Sequence, residues 1–177
     1  MMPERAQFTV AAIGVMHRPG MEDGTRIAHG APHDPAAESV IEIYPEWEGG
    51  LEGIEGFSHL AVIVLMDRVD PLKPESPLTR RMESADDLPS IGLFATRSPR
   101  RPNPIALYSP RLLQRDGRNL HVSGMDAWPG TPVLDIKAYY PRTDHHADAT
   151  IPGWLDALRA RRADQPDERP LRYRREI

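Results

Sequence analysis

The feature that most constrains the fold is a short unbroken apolar run, Leu60-Ala61-Val62-Ile63-Val64-Leu65-Met66, inside Phe57 to Met66. It falls far short of the roughly 20 residues that a membrane-spanning helix needs. Its length and β-branching suit a central buried strand, which should anchor the core. Other β-like pieces surround it: Phe8 to Val15, Ser39 to Tyr44, Gly92 to Thr96, Ile105 to Leu113, Asn119 to Ser123 and Val133 to Tyr139. Turn chemistry separates them, as in Asp116-Gly117 and Trp128-Pro129-Gly130. Loops are expected at Glu22 to Pro35, at the acidic stretch Pro45 to Gly56 and at Asp70 to Ser90, the last holding four prolines. Seven strands and one late helix predict a mainly all-β barrel or sandwich. The helix should start near Gly153, with Trp154, Leu155 and Leu158 on one side and Arg159, Arg161 and Arg162 at its C-terminal end, where cations suit the helix dipole.

A chain of 177 residues accommodates one ordinary domain and a short tail. Residues 1–150 are expected to form the β-domain and residues 151–177 a C-terminal helix and extended tail of the same domain. There is no cysteine, which removes disulfides, thiolate metal sites and a cysteine nucleophile. With no signal-like N-terminus and no membrane-length run, the protein is expected in the cytoplasm. The net charge of −4 conceals an asymmetry. Glu22 to Gly56 sets nine carboxylates against Arg26, whereas Ile91 to Arg118 sets six arginines against Asp116. The basic segment reads either as a phosphate-binding patch or as a solvated face balancing the acidic one.

Two passages carry candidate chemistry. In Phe94-Ala95-Thr96-Arg97-Ser98-Pro99-Arg100-Arg101-Pro102-Asn103-Pro104-Ile105, three prolines pin the backbone and restrict the residues before them. A stiff loop of this kind can hold guanidinium and amide groups ready for an anionic or planar polar ligand; the alternative is a rigid connection whose arginines face water. In Gly124-Met125-Asp126-Ala127-Trp128-Pro129-Gly130-Thr131-Pro132-Val133-Leu134-Asp135-Ile136-Lys137, a tight turn feeds a strand on which Asp135 and Lys137 share one face. Taken alone, that pair reads as an ion pair on the wall of a sheet. The seven histidines fall in no metal-ligand spacing, and no metal site is expected. Dinucleotide, P-loop and nucleophile-elbow patterns are absent.

At these passages the sequence resembles the TrmO family, also called YaeB-like or TsaA-like. Its members carry F-A-T-R-S-x-x-R-P-N-P-I-G followed by D-G-T-P-V-L-D-I-K-P-Y. The matches are Phe94 to Ser98, Arg101 to Ile105, and Gly130 to Lys137 with Tyr139. Gly53-Ile54-Glu55-Gly56-Phe57-Ser58-His59-Leu60 is similar to the family's G-I-E-G-F-S-H-I. Ala106 and Ala138 stand where Gly and Pro are usual, and Pro32-His33-Asp34 stands where the family shows P-R-Q, a change of charge and of donor pattern.

The resemblance implies a single antiparallel β-barrel, homodimeric, binding S-adenosylmethionine near the subunit interface and methylating N6 of threonylcarbamoyl-adenosine beside the tRNA anticodon. Carried over by position, cofactor contacts fall on Pro32, His33, Asp34, Asp67, Arg68, Arg97, Leu107, Ala127, Trp128, Pro129 and Gly130. Beside that turn, Asp135 and Lys137 are the candidate acid–base pair with Tyr139 as orienter. Arg100, Arg101 and Asn103 are the candidate contacts to substrate phosphate or carboxylate. The longer bacterial members carry a further C-terminal domain implicated in substrate binding, which these 177 residues do not include. Two alternatives stay open: the same fold acting on a small molecule, favoured by the acidic net charge, and a non-catalytic S-adenosylmethionine-binding module, favoured by the His33-Asp34 change.

Overall fold

A computed structural model describes residues 6–25, 36–81 and 89–164. Among them, nine strands run in the order β1 (Gly14–His17), β2 (Glu38–Ile43), β3 (Leu60–Leu65), β4 (Thr79–Arg81), β5 (Ser90–Gly92), β6 (Ile105–Tyr108), β7 (Arg111–Asp116), β8 (Asn119–Ser123) and β9 (Thr131–Ala138). A four-residue helix α1 (Pro141–Asp144) and the longer α2 (Gly153–Asp164) follow. Seven strands form one antiparallel sheet in the spatial order β6-β3-β9-β1-β2-β8-β7, and β4 pairs with β5 in a separate hairpin. No helix among the described residues is long and apolar enough to cross a membrane.

The core lies on one face of the large sheet, where the two-residue period of the strands places it. Leu60, Val62 and Val64 are fully buried, as are Met16, Ile41, Leu120, Val122 and Val133. Each such aliphatic side chain contributes about 1.5–3 kcal/mol relative to an exposed one. The apolar run at Leu60–Leu65 is thus a strand paired on both sides, by β6 and β9, but the middle of the sheet is β1. Its alternate residues Ala61, Ile63 and Leu65 are only half-buried, so one face of the run meets the core and not both.

The barrel expected from the family resemblance is not closed. The sheet's outer strands, β6 and β7, are consecutive in the chain, and Ser109 and Pro110 between them break what was expected as one strand over Ile105 to Leu113. Pro110 has no N–H to give a ladder, although its carbonyl accepts from Leu60 N at 3.1 Å. A single isolated bridge, His59 to Arg111, with Leu112 N donating to Ser58 O at 2.9 Å, links β7 to the start of β3.

Three further boundaries differ from expectation. β1 begins only at Gly14, because Phe8 and Val10 find no cover and stay 86% and 63% exposed. Gly14 itself lies so close to β2 that a Cβ would collide with the Glu42 carbonyl oxygen. Leu93–Ala95, expected within a strand, is a 3-10 turn closed by Thr96, whose N and Oγ1 both donate to Leu93 O, a local bond that competes with a ladder. β4 lies within Asp70 to Ser90, where a loop was expected, and its partner β5 begins at the last residue of that stretch. The helix near Gly153 is where the sequence places it, and Leu158 is its buried anchor.

Candidate functional site

A closely held stretch of irregular backbone among the described residues is the bend from Gly124 to Gly130, which joins β8 to β9. Glycines with φ of 90° and 84° bracket it. Trp128-Pro129-Gly130-Thr131 closes as a β-turn, with Thr131 N donating to Trp128 O at 3.1 Å. Proline and then a left-handed glycine at the two central positions are what a type II turn requires. Gly130 N donates to Met16 O at 2.7 Å, tying the turn to the end of β1.

Two arginines grip this bend. Arg18 Nη2 donates to Met125 O at 2.7 Å and Arg68 Nη2 to Pro129 O at 3.0 Å. The Pro129 carbonyl also accepts from Gly24 N at 3.0 Å. Arg18 Nε and Arg68 Nη1 are buried with no hydrogen-bond partner among the described residues. A buried N–H on a charged group is costly when unpaired, so these two donors mark where an acceptor is wanted. Asp67 is a distant neighbour, its Oδ2 at 4.0 Å from Arg68 Nε. Gly130 packs so closely that a Cβ there would stand 2.8 Å from Arg68 Nη2 and 3.2 Å from Asp23 Cβ.

Asp126, exposed on the bend, is hydrogen-bonded to the Tyr108 side chain from β6. Burial first, and then the charge and hydrogen bond of Asp126, push the Tyr108 phenol well above the ordinary tyrosine range, with Arg18 opposing. Tyr108 therefore stays neutral and donates to the carboxylate. On the other side of the bend, His17 lies between two carboxylates: Nδ1 is 3.0 Å from Asp23 Oδ1 and Nε2 is 3.0 Å from Glu42 Oε2.

The structure brings Arg68 together with Pro129 and Gly130 and leaves Asp67 beside them. Ala127 is fully buried and Trp128 half-buried in the same bend. Leu107 points outward from β6, 56% exposed, opposite Ile63 of β3. Arg97 and Asn103 are exposed on the proline-stiffened loop. In that loop Arg101 turns inward on it: Nη1 donates to Thr96 O at 2.8 Å and the guanidinium lies 5.6 Å from the centroid of the Phe94 ring. Arg100 is half-buried nearby. Pro32, His33 and Asp34 lie outside the described residues.

Asp135, Lys137 and Tyr139 are not at the bend. Asp135 is five residues past Gly130, roughly 15 Å along an extended strand. Its Oδ2 pairs with Lys137 Nζ at 2.6 Å and its Oδ1 accepts from Ile136 N at 2.9 Å. It borders a cleft of about 310 Å³ walled by Ile13, Trp47, Leu51, Ile54 and Ile136. Tyr139 lies further on, its ring 6.1 Å from that of His59. Arg18, Tyr108 and Asp126 escaped the sequence reading because residues so far apart along the chain meet only through the sheet order. The one available signal was the Asp126 carboxylate inside the glycine-bracketed bend.

The model of the tRNA-methyltransferase O N-terminal domain matches residues 24–145. A probable S-adenosyl-L-methionine-binding protein of Archaeoglobus fulgidus is 46% identical over 131 residues, covering 71% of this chain and 33% of that protein. A putative S-adenosylmethionine-dependent methyltransferase, RcsF of Pseudomonas aeruginosa, is 39% identical over 117 residues, covering 65% of this chain and 50% of the relative. The crystal structure of TrmO from Pseudomonas aeruginosa superimposes with a TM-score of 0.63 at 31% identity, over 83% of this chain and 61% of the other. This chain therefore spans a third of the Archaeoglobus protein and under two thirds of the TrmO structure.

Proposed function

The chain belongs to the family of tRNA-methyltransferase O N-terminal domains, and from that premise we propose that it is a cytoplasmic S-adenosylmethionine-dependent methyltransferase. Its acceptor in this reading is N6 of a threonylcarbamoyl-adenosine beside a tRNA anticodon. The observation that supports it most is the double clamp on the bend: Arg18 and Arg68 each donate to one of its carbonyls and each keep a buried N–H without a partner. Such donors suit a ligand bearing a carboxylate, and S-adenosylmethionine ends in one. Arg68, Asp67 and the backbone of Ala127 to Gly130 would hold the cofactor, with Leu107 and Arg97 on the adjoining strand and loop.

When bound, the cofactor supplies a methyl group carried on a sulfonium. The protein's own share is to align the acceptor nitrogen, exclude water and remove a proton. Asp126, a carboxylate within the bend held by the Tyr108 hydroxyl, would take up the acceptor's N–H proton on methylation, the methyl–sulfur bond breaking to leave a neutral thioether. Asp135 and Lys137 serve instead as an ion pair beside the separate cleft. Arg97, Arg100 and Asn103 face tRNA phosphate or the threonyl carboxylate, and Arg101 braces their loop from within through Thr96 O. A homodimer would cover the exposed Ile105 and Leu107 of β6.

Calorimetry with S-adenosylmethionine and mass spectrometry of tRNA nucleosides test this reading. Arg68→Ala should weaken cofactor binding by at least about tenfold, the worth of a charged hydrogen bond. Asp126→Asn should bind cofactor normally yet transfer at least about a hundredfold more slowly. Methyl transfer that survives RNase would redirect the assignment to a small-molecule acceptor. Binding without transfer to any tRNA would leave a cofactor-binding module.

A further inference from the structure

From the placement of His17 we infer that its imidazolium is a positioning residue, a latch tying the segment 21–25, which docks on the Gly124–Gly130 bend, to β2 through two bonds that only the protonated ring makes together. This rests on the proposed cofactor site, although the latch itself can be measured without any cofactor.

Each ring nitrogen of His17 meets a carboxylate oxygen at 3.0 Å, Asp23 Oδ1 at Nδ1 and Glu42 Oε2 at Nε2. A carboxylate accepts and cannot donate, so both bonds exist together only when both nitrogens carry a proton. A neutral ring keeps one bond and turns a lone pair against the other carboxylate. Histidine is the side chain whose charge changes in the physiological range, so the bridge is conditional on pH.

The two carboxylates belong to different elements. Glu42 is fixed on β2, and its other oxygen is held at 2.6 Å by Arg118 Nη1, which also donates to Ile43 O at 3.0 Å. Asp23 is on the segment that reaches the bend: the next residue donates from Gly24 N to Pro129 O, and Asp23 Cβ lies against Gly130. His17 therefore connects a rigid strand to the piece of chain covering the same carbonyl that Arg68 grips. Among the described residues a further charged pair on this face, Glu38 and His121, is closed on itself at 2.7 Å. From β9 the neighbouring residue is Pro132, which brings no charge.

Losing one bond to a charged group weakens the docked arrangement about tenfold. The first measurement is amide exchange of Gly24, as a protection factor corrected for intrinsic rate, in the cofactor-free protein at pH 6 and pH 8. Protection should fall about tenfold over that range in the wild type. In His17→Gln it should be low at both. Asp23→Ala, a change on an exposed segment that leaves the sheet intact, should mimic it. The second measurement is S-adenosylmethionine affinity over the same range, which should weaken with rising pH in the wild type and stay flat in His17→Gln. Gly24 protection that is unchanged between pH 6 and pH 8 in the wild type, or an equal pH response in His17→Gln, overturns the latch. Normal latch behaviour in a protein that binds no S-adenosylmethionine overturns the cofactor reading and leaves the latch standing.

Discussion

Gly130 shows how much can hang on one missing side chain. Its φ of 84° strains any alanine, and its approach to Arg68 Nη2, at 2.8 Å from where a Cβ would sit, admits one only if the guanidinium moves. Gly130→Ala should cost about 1–3 kcal/mol in urea unfolding and should displace Arg68, so that cofactor affinity falls with it. Tyr108 offers a second test at this scale. Ordinary tyrosine titrates near pH 10, and the folded protein holds this phenolic proton more tightly through burial and Asp126. That contribution to stability is complete below about pH 10 and is lost as pH rises from there toward the higher folded value. In Tyr108→Phe the alkaline fall in denaturation midpoint should be shallower than in the wild type. Only Asp126, by its place inside the glycine-bracketed bend, hints at this bond in the sequence; Tyr108 does not. Pro129 and Gly130 are legible there, because their turn chemistry is local, whereas the pairing of Asp126 with Tyr108 acquires meaning only when β6 is placed beside the bend.

Among elements, short-range signals were legible and ladder-dependent ones were not. The Leu60–Leu65 strand and the Gly153 helix stand where apolar pattern and breakers put them. Pro110, buried in the middle of an apolar stretch, interrupts Ile105 to Leu113, and proline was the available warning there. The acidic stretch Pro45 to Gly56 reads as solvated turns, but the structure makes it two 3-10 segments gripped by one arginine of β7. Arg115 donates to Leu51 O at 3.1 Å, to Glu52 Oε1 at 3.1 Å, to Glu55 at 3.5 Å and to Gly117 O at 2.9 Å. Hydrogen bonding to Glu52, ahead of the opposing effect of desolvation, pushes the guanidinium above its ordinary value and keeps it charged. Arg115→Met should release these segments locally, raising amide exchange across residues 45–56 by about tenfold while exchange in β3 stays unchanged.

At the scale of the molecule, charge asymmetry was visible in the sequence, but what each charge faces was not. Arg101 and Arg115, both counted in the basic segment, are spent on internal partners. In the tRNA reading, the surface left for nucleic acid is thus narrower than the arginine count suggests. β6 turns Ile105 and Leu107 outward at 46% and 56% exposure, with Phe94 nearby in sequence at 74%. In the homodimer reading, light scattering should return twice the chain mass, and Leu107→Asp should return a single chain with an unchanged far-ultraviolet spectrum. The unclosed sheet carries a further consequence. A cylinder stitched by backbone bonds on every side resists deformation equally all round, but this sheet is joined across one flank only by an isolated bridge and the backbone bonds beside it. Thermal opening should therefore begin along that flank, beside the bend where Tyr108 reaches Asp126, letting the rim widen for a bulky guest while the opposite wall keeps its register.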